Sequence, residues 1–276
     1  MLDIRLDTLP AHLAARPRDC NKGDFGQVAI IGGAPGMAGA ALLAARAALM
    51  CGTGRVYAGL LDERIGLDPG TPELMVGHAD ALPRLAPPGC LVVGPGLGRS
   101  GAARAALLEA LASDLPLLLD ADALNLIASD PELPGRVAAR AAPTLLTPHP
   151  GEAGRLLAMR SAEVQRDREG SARRLCERYG AVTVLKGAGT LVMAPGREIW
   201  RNGSGNPGQA APGMGDTLAG IIAALIAQGM ETEAAAVLGV WLHGAAADLA
   251  VEEDLGPRGL SATELLPRAR RLLNTL

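Results

Sequence analysis

The feature that most constrains this chain is an alternation of short apolar runs with longer stretches rich in Ala and Leu. Short apolar runs are typical of buried strands, and the longer stretches have the length and periodicity of helices. Strands that are apolar throughout and separated by helices predict a mostly parallel sheet with helices on both faces. We therefore expect an α/β fold, formed as one domain over residues 1–276. The predicted strands are 28–31, 55–58, 91–93, 115–119, 144–146, 182–185 and 191–193, the last two pairing as a hairpin. The predicted helices include 38–50, 101–112, 218–227 and 231–251.

Polar and glycine-rich residues collect just after the predicted strands. Ligands of open α/β sheets bind beyond the carboxyl ends of the strands, so these residues are the candidates for a site. They are 94–98, Asp120, Asp122, Asn125, His149, Glu152 and Lys186. The stretch from Leu82 to Gly89, rich in Pro and Gly, is interpreted as a surface loop and not as a domain boundary.

Composition excludes several classes of protein. A net charge of −3 and an aromatic content of 2% argue against a nucleic-acid binder, which needs a basic surface or stacking platforms. An arginine group, Arg168, Arg173, Arg174 and Arg178, reads first as a solvated helix face and second as an anion patch. The cysteines are few and far apart, without metal-ligand spacing, which fits a reducing compartment. We find no membrane span and no signal peptide in the pattern, so we expect a cytoplasmic protein.

The most informative segment is the glycine-rich run that ends in Gly213, Met214, Gly215 and Asp216 before a strongly apolar helix. Asp216 or Thr217 is expected to cap that helix, since Asp is a favoured N-cap. Glycines also let the backbone approach a ligand closely, and a helix N-terminus carries positive partial charge. Residues Gly213 to Gly215 therefore predict an anion hole, with Asp216 beside it as a base that takes a proton from a hydroxyl.

Two further strand ends carry candidate site residues. Lys186 and the residues after it, Gly187, Ala188, Gly189 and Thr190, could hold a nucleotide phosphate, although Lys186 could equally be a solvated turn residue. His149 and Glu152 follow another strand within a loop that two prolines stiffen. Glu152 could be a first-turn helix residue or could order Mg²⁺ through water. Asp122 is expected to cap the helix that follows it.

Common nucleotide motifs are absent. The chain has no Gly-Lys dipeptide and hence no Walker A loop. The glycines of 32–39 lack the spacing of a dinucleotide-binding fingerprint, and the next strand does not end in an acidic residue.

Taken together, the segments resemble the ribokinase-like superfamily, through Gly213-Met214-Gly215-Asp216 before an apolar helix. Within it, the chain is most similar to the ADP/ATP-dependent NAD(P)H-hydrate dehydratase family. His149 stands where sugar kinases of the superfamily typically carry Asn. The ordered segments that carry the similarity are 22–26 leading to 36–41, 94–98, 120–125, 147–152, and 205–208 leading to 215–216.

The resemblance implies a repair reaction on hydrated NADH or NADPH, with ADP or ATP as phosphoryl donor and Mg²⁺ as cofactor. It implies that Asp216 is the base, that Lys186 to Thr190 and Gly215 bind the nucleotide, and that Glu152 contributes indirectly to the metal site. The substrate site is implied to consist of Ala40, Gly96, Gly98, His149 and Asp216. A homo-oligomer and a separate epimerase acting on the same metabolite are also implied. The alternatives are an alcohol kinase of the same fold and a nucleotide-binding regulator that has lost its chemistry.

Overall fold

The computed structural model describes residues 1–10, 13–82, 85–87 and 89–276, and for residues 254 and 255 it describes the backbone alone. The expected loop over 82–89 therefore lies partly outside the described residues. Within them, one sheet holds ten strands: β1 (Leu2–Ile4), β2 (Gln27–Gly32), β3 (Arg55–Leu60), β4 (Met75–His78), β5 (Gly89–Val93), β6 (Leu117–Leu119), β7 (Thr144–Leu146), β8 (Val182–Leu185), β9 (Leu191–Met193) and β10 (Trp200–Asn202).

The sheet has the strand order β1-β10-β9-β8-β7-β6-β5-β2-β3-β4. From β4 to β8 all neighbours are parallel. Strands β8 and β9 pair antiparallel, which confirms the predicted hairpin. The predicted strand 115–119 is two residues too long at its start: β6 begins at Leu117, the first residue that pairs with β5 and β7.

Helices cover both faces, as predicted. They are α1 (Ala38–Met50), α2 (Gly101–Leu111), α3 (Ala121–Ser129), α4 (Leu133–Ala138), α5 (Pro150–Leu157), α6 (Ser161–Arg166), α7 (Arg168–Tyr179), α8 (Met214–Ala227), α9 (Thr232–Ala250) and α10 (Ala262–Leu273). One apolar core joins the sheet to α1, α8, α9 and α10, and a second joins its other face to α2, α3, α4, α5 and α7. Two separate cores explain why the strands are apolar on both sides.

Helix α8 is held in place by close packing on α1. Gly220 of α8 lies against α1, where a Cβ atom would come within 2.0 Å of the Ala44 carbonyl oxygen. Side chains of Ala line the facing surface of α1, including Ala44, Ala47 and Ala48. Small residues on both helices let the two backbones approach, and this fixes where the N-terminus of α8 emerges at the sheet edge.

One helix in the described part of the chain, Thr232–Glu253, is long and apolar enough to cross a membrane by length and composition, which the sequence pattern had not suggested. Of its most apolar window, 72% is buried inside the protein. The helix packs against α8 and α10 as part of the first core, which accounts for its composition. Trp241 is half-buried and Leu242 fully buried on this helix.

Candidate active site

Helix α8 begins at a glycine without a side-chain cap. Its N-cap is Gly213, with φ of +84°, which has no side chain to accept a hydrogen bond from the first turn. The expectation that Asp216 or Thr217 caps the helix is therefore wrong: both residues lie inside the first turn. The positive φ explains this, because only glycine adopts it without strain, so the chain turns into the helix three residues earlier. The first N–H groups of α8 have no intrahelical partner, and Met214, Gly215 and Asp216 line the cleft.

Asp216 lies beside a cluster of charged side chains that come from three adjacent parallel strands. Lys186 follows β8, Asp120 follows β6, and Glu152 lies in the first turn of α5, which follows β7. The Lys186 Nζ atom is 2.7 Å from Asp120 Oδ1 and 3.9 Å from Glu152 Oε2. Thr147 donates a hydrogen bond of 2.7 Å to the same Asp120 oxygen. The solvated alternative for Lys186 is wrong, because its side chain is only 17% exposed.

The cluster perturbs the protonation of its members. Burial and the negative charge of Asp120 raise the pKa of Asp216 to about 7, although Lys186 opposes the shift. Burial also raises the pKa of Glu152, again against Lys186. For Lys186, burial acts to lower the pKa, but the charges of Asp120 and Glu152 outweigh it and the pKa is raised. Lys186 therefore stays charged, and Asp216 titrates near neutral pH, as a general base should.

His149 and Glu152 form the start of α5. His149 is the N-cap, its Nδ1 accepting a hydrogen bond of 2.9 Å from the Gly151 backbone. Glu152 accepts from the His149 backbone N–H at 2.8 Å, which completes a capping box. Burial and the charges of Lys186 and Arg155 lower the pKa of His149, so its half-exposed ring is neutral at pH 7. Glu152 thus combines the first-turn role with a place in the charged cluster.

The loop from Lys186 to Thr190 joins β8 to β9 and lines the cleft. The Arg168 guanidinium lies beneath it and donates to the backbone oxygens of Leu185, Lys186 and Gly189, at 3.1 to 3.3 Å. The interpretation of Arg168 as part of a solvated face is therefore wrong. Its position at the first residue of α7 directs the side chain inward, and it supports the loop that was predicted to hold the nucleotide.

Ala40, Gly96 and Gly98 form a second group, in which Ala40 lies in the first turn of α1 and the two glycines follow β5. Gly96 has φ of +58°, and a Cβ atom there would meet the Met37 carbonyl oxygen at 2.4 Å. The Gly98 N–H donates to Asp122 at 2.9 Å. The N-cap of α3 is Asp120 and not Asp122, because the carboxylate of Asp122 is used by Gly98 instead of the helix end. This group is adjacent to the charged cluster but lies outside the lining of the cleft described next.

A cleft of about 1260 Å³ runs along the carboxyl ends of β6, β7 and β8. Its lining includes Asp120, His149, Glu152, the loop 186–190, the glycine-rich segment 203–211, Met214, Gly215 and Asp216. The volume lies above the range of about 300–1000 Å³ that is typical of a single-ligand pocket. A larger open groove of about 1510 Å³, between 13–17 and α10, contains none of the predicted site residues. In the described part of the chain, no group of three or more His, Cys, Asp or Glu side chains could hold a metal by itself.

A mostly parallel sheet covered on both faces, with an aspartate in an uncapped helix N-terminus at the strand ends, defines the ribokinase-like class of nucleotide-dependent enzymes. The comparisons with known proteins narrow the class. The sequence model of NAD(P)H-hydrate dehydratase matches residues 28–269. The chain belongs to this family, whose reaction is that of a carbon–oxygen lyase.

Three relatives support the assignment. The ADP-dependent (S)-NAD(P)H-hydrate dehydratase of Neisseria meningitidis serogroup B (strain ATCC BAA-335 / MC58) is 45% identical, over 97% of this chain and 91% of that protein. The bifunctional NAD(P)H-hydrate repair enzyme Nnr of Coxiella burnetii (strain RSA 493 / Nine Mile phase I) is 46% identical over 95% of this chain, which spans 53% of that protein. The ADP/ATP-dependent NAD(P)H-hydrate dehydratase of Bacillus subtilis, co-crystallized with ATP/Mg²⁺, has a TM-score of 0.85 and 29% identity over 99% of this chain and 98% of that one. These matches favour the dehydratase over the alcohol-kinase alternative.

Sequence reasoning missed two residues that contact the site. His243, on α9, lies in the cleft lining and hydrogen-bonds to Gln209 and Thr217. Asp248, one turn further on, accepts hydrogen bonds from the Gly205 backbone N–H and the Asn206 side chain. The available signal was weak. Both are polar residues within an otherwise apolar helix, and buried polar side chains usually have hydrogen-bond partners.

Proposed function

We propose that this protein restores NADH or NADPH from its hydrated form, the S epimer, by phosphorylating the hydroxyl on the reduced ring and eliminating phosphate. ADP or ATP is the proposed phosphoryl donor. Residues 1–276 are taken as one domain for this activity. The observation that carries the proposal is Asp216, with a pKa of about 7, in the first turn of α8 within a cleft of about 1260 Å³.

The first step forms a phosphate ester. Asp216 takes the proton of the ring hydroxyl, and the hydroxyl oxygen attacks the terminal phosphorus of the nucleotide. The bond between that phosphorus and the bridging oxygen breaks, so the nucleotide leaves with one phosphate fewer. The backbone N–H groups of Gly213 to Gly215 stabilise the charge on the transferring group, as donors aimed at developing charge do. Lys186, held by Asp120 and Glu152, adds a fixed positive charge at the same place.

The second step removes the phosphate. The carbon–oxygen bond breaks with its electrons on phosphate, and the neighbouring carbon loses a proton to water, which restores the ring double bond. Phosphate is a much better leaving group than hydroxide, and this is why the reaction consumes a nucleotide. Ala40, Gly96, Gly98 and His149 are the proposed substrate contacts. Because Nδ1 of the neutral His149 ring accepts from the Gly151 N–H, its Nε2 carries the hydrogen and can donate a hydrogen bond.

Magnesium fits this site without a dedicated cage. The cluster contains three carboxyl groups and one lysine: Asp120, Glu152, Asp216 and Lys186. The pKa values of Glu152 and Asp216 are raised, so a cation would be favoured there. Mg²⁺ is commonly held by one or two carboxylates together with substrate phosphates and waters. Asp120 and Glu152 would hold it directly or through water, and the ion would offset phosphate charge when bound.

The decisive experiment is absorbance at the reduced-nicotinamide band. Purified protein is mixed with hydrated NADH or NADPH, Mg²⁺ and either ADP or ATP. We expect a nucleotide-dependent rise, and the more effective donor and substrate identify the preference in the same plate. Asp216→Asn and reactions without nucleotide are the controls. No rise with either donor, while nucleotide still binds, would reject the dehydratase and direct the search to alcohol substrates of a kinase.

Three further properties complete the proposal. Interconversion of the epimers is assigned to a separate epimerase, so this protein alone should consume only part of an epimer mixture. A homo-oligomer is proposed because Leu67 and Met75 are exposed near the edge strand β4, and light scattering tests it. A cytoplasmic location fits Cys20, Cys51, Cys90 and Cys176, all free thiols.

A further inference from the structure

His243 is a buried polar side chain that the reaction above does not use. It lies on α9 with 8% of its surface exposed, between the glycine-rich segment and the first turn of α8. Its Nδ1 is 2.8 Å from the side-chain nitrogen of Gln209, and its Nε2 is 3.3 Å from the hydroxyl oxygen of Thr217. Both ring nitrogens are therefore engaged within the protein.

The neighbouring groups define which nitrogen carries the proton. The Gln209 amide nitrogen is also 3.4 Å from the backbone oxygen of His243, an atom that can only accept, so the amide is oriented as a donor. Nδ1 must then accept, and Nε2 carries the hydrogen and donates toward Thr217. The Thr217 hydroxyl in turn donates to the Met214 carbonyl oxygen at 2.9 Å. The result is a directed chain of hydrogen bonds from Gln209 through the ring to the start of α8.

The ring stays neutral at the pH of the reaction. Burial lowers the pKa of His243 to about 4; a hydrogen bond with the Met214 backbone opposes the shift, and the charge of Lys186 adds to it. A protonated ring would present an N–H to the Gln209 donor, so neutrality is also what the geometry requires.

The chain of hydrogen bonds connects the residues on the two sides of the turn at which α8 begins. Gln209 lies before Gly213, whose positive φ makes it the bend, while Met214 and Thr217 lie after it. Helix α9 supports the same segment at its next residue: a Cβ atom on Gly244 would lie 2.3 Å from the Ser204 hydroxyl oxygen. Only a glycine at 244 lets the segment pack this closely beside His243.

We propose that His243 is a positioning residue for phosphoryl transfer: its neutral ring holds the segment before Gly213 and the first turn of α8 in one arrangement, and so aims Asp216 and the helix N–H groups at the reacting phosphate. The proposal rests on the proposed function. Misplacement by about 1 Å can cost about 100-fold in rate, so a residue that touches no reacting atom can control turnover.

Two substitutions test the chain of hydrogen bonds: the first keeps a planar ring, and the second keeps a side chain of similar size. His243→Phe removes both ring hydrogen bonds. Gln209→Leu removes the donor to Nδ1 and to the His243 backbone oxygen but leaves the contact between Nε2 and Thr217 in place. We expect His243→Phe to lower kcat by about 10- to 100-fold with the nucleotide KM changed less than about threefold. Gln209→Leu should have a smaller effect in the same direction, and the double variant should be no worse than His243→Phe, since members of one network are not additive.

Gln228→Leu is the matched control. The Gln228 amide donates to the backbone oxygens of Cys51 and Ala224 at the other end of α8, both at 2.9 Å. It should lower the melting temperature without lowering kcat. A kcat within twofold of wild type in folded His243→Phe, or fully additive effects of the two substitutions, would overturn the proposal.

Hydrogen exchange provides a readout that does not need turnover. The Thr217 N–H donates to the Gly213 carbonyl at 3.0 Å, and its exchange should be about tenfold faster or more in His243→Phe but unchanged in Gln228→Leu. Unchanged exchange in His243→Phe would refute the positioning role. If the wild-type protein lacks dehydratase activity, the proposed function fails, and the exchange experiment still decides the role of His243.

Discussion

Replacing Asp216 by Asn should stabilise the protein while removing its activity. The folded state raises the pKa of Asp216 from 3.8 to about 7, mainly by burial and by the charge of Asp120. Between these two pH values the Asp216 carboxyl is ionised in the unfolded chain and protonated in the folded protein. The contribution to stability is therefore fully present below about pH 4 and is lost as the pH rises to about 7. Asn, which is neutral throughout, avoids that loss.

The magnitude follows from the shift. Three pKa units at about 1.36 kcal/mol per unit give at most about 4 kcal/mol. We expect the difference in free energy of unfolding between Asp216→Asn and wild type to be small at pH 4 and to grow to between about 1 and 4 kcal/mol at pH 8. Turnover should fall by about 10²- to 10⁴-fold, the usual contribution of a general base, while nucleotide binding persists.

Urea unfolding at pH 4, 6 and 8, together with the absorbance assay, checks both parts. Glu109→Gln, at an exposed position of α2, removes a carboxylate elsewhere and should show no such dependence on pH. A stability difference that is the same at pH 4 and 8 would refute the raised pKa. Near-normal turnover in Asp216→Asn would refute its assignment as the base, whatever the stability data show.

Four other results are expected. The value of kcat/KM should rise with pH through about 7, because Asp216 must be ionised to accept a proton, and a rate independent of pH from 5.5 to 8.5 would contradict this. Gly215→Ala should lower turnover, since its Cβ atom would lie 3.2 Å from Lys186 Nζ. Gly135→Ala is the control: its Cβ atom would lie in open space on α4, so it should leave turnover unchanged and raise stability by about 0.5–1 kcal/mol. Lys186→Met should destabilise the fold by about 3–5 kcal/mol and move the rise of kcat/KM to higher pH, because the buried carboxylates lose their counter-charge. Unchanged stability in this variant would show that the ion pair is not needed for folding. Removing Mg²⁺ with EDTA should abolish turnover and leave the melting temperature of the nucleotide-free protein unchanged, and full activity in EDTA would exclude the metal.

Much of the fold was predictable because its signals are local. Strands β7 and β8 and helix α1 begin and end at the predicted residues, since each is a continuous apolar or Ala-rich segment with clear breaks. That the polar residues lie together was also predictable, because residues that follow parallel strands must share one edge of the sheet. The ends of other elements were less accurate. The start of α8 depends on the φ angle of Gly213, and the first turn of α3 depends on which partner Asp122 finds.

The sequence by itself determined the fold class, the edge of the sheet that carries the site, and Asp216 as its most reactive candidate, because apolar periodicity and glycine placement act over a few residues. Tertiary structure alone decided how the site works. Lys186 and Asp120 are 66 residues apart and meet only because β6, β7 and β8 are neighbours. The pKa of Asp216 depends on burial and on charges from other strands, and the role of His243 depends on partners from two other segments. Burial and long-range electrostatics arise from packing, so no local pattern contains them.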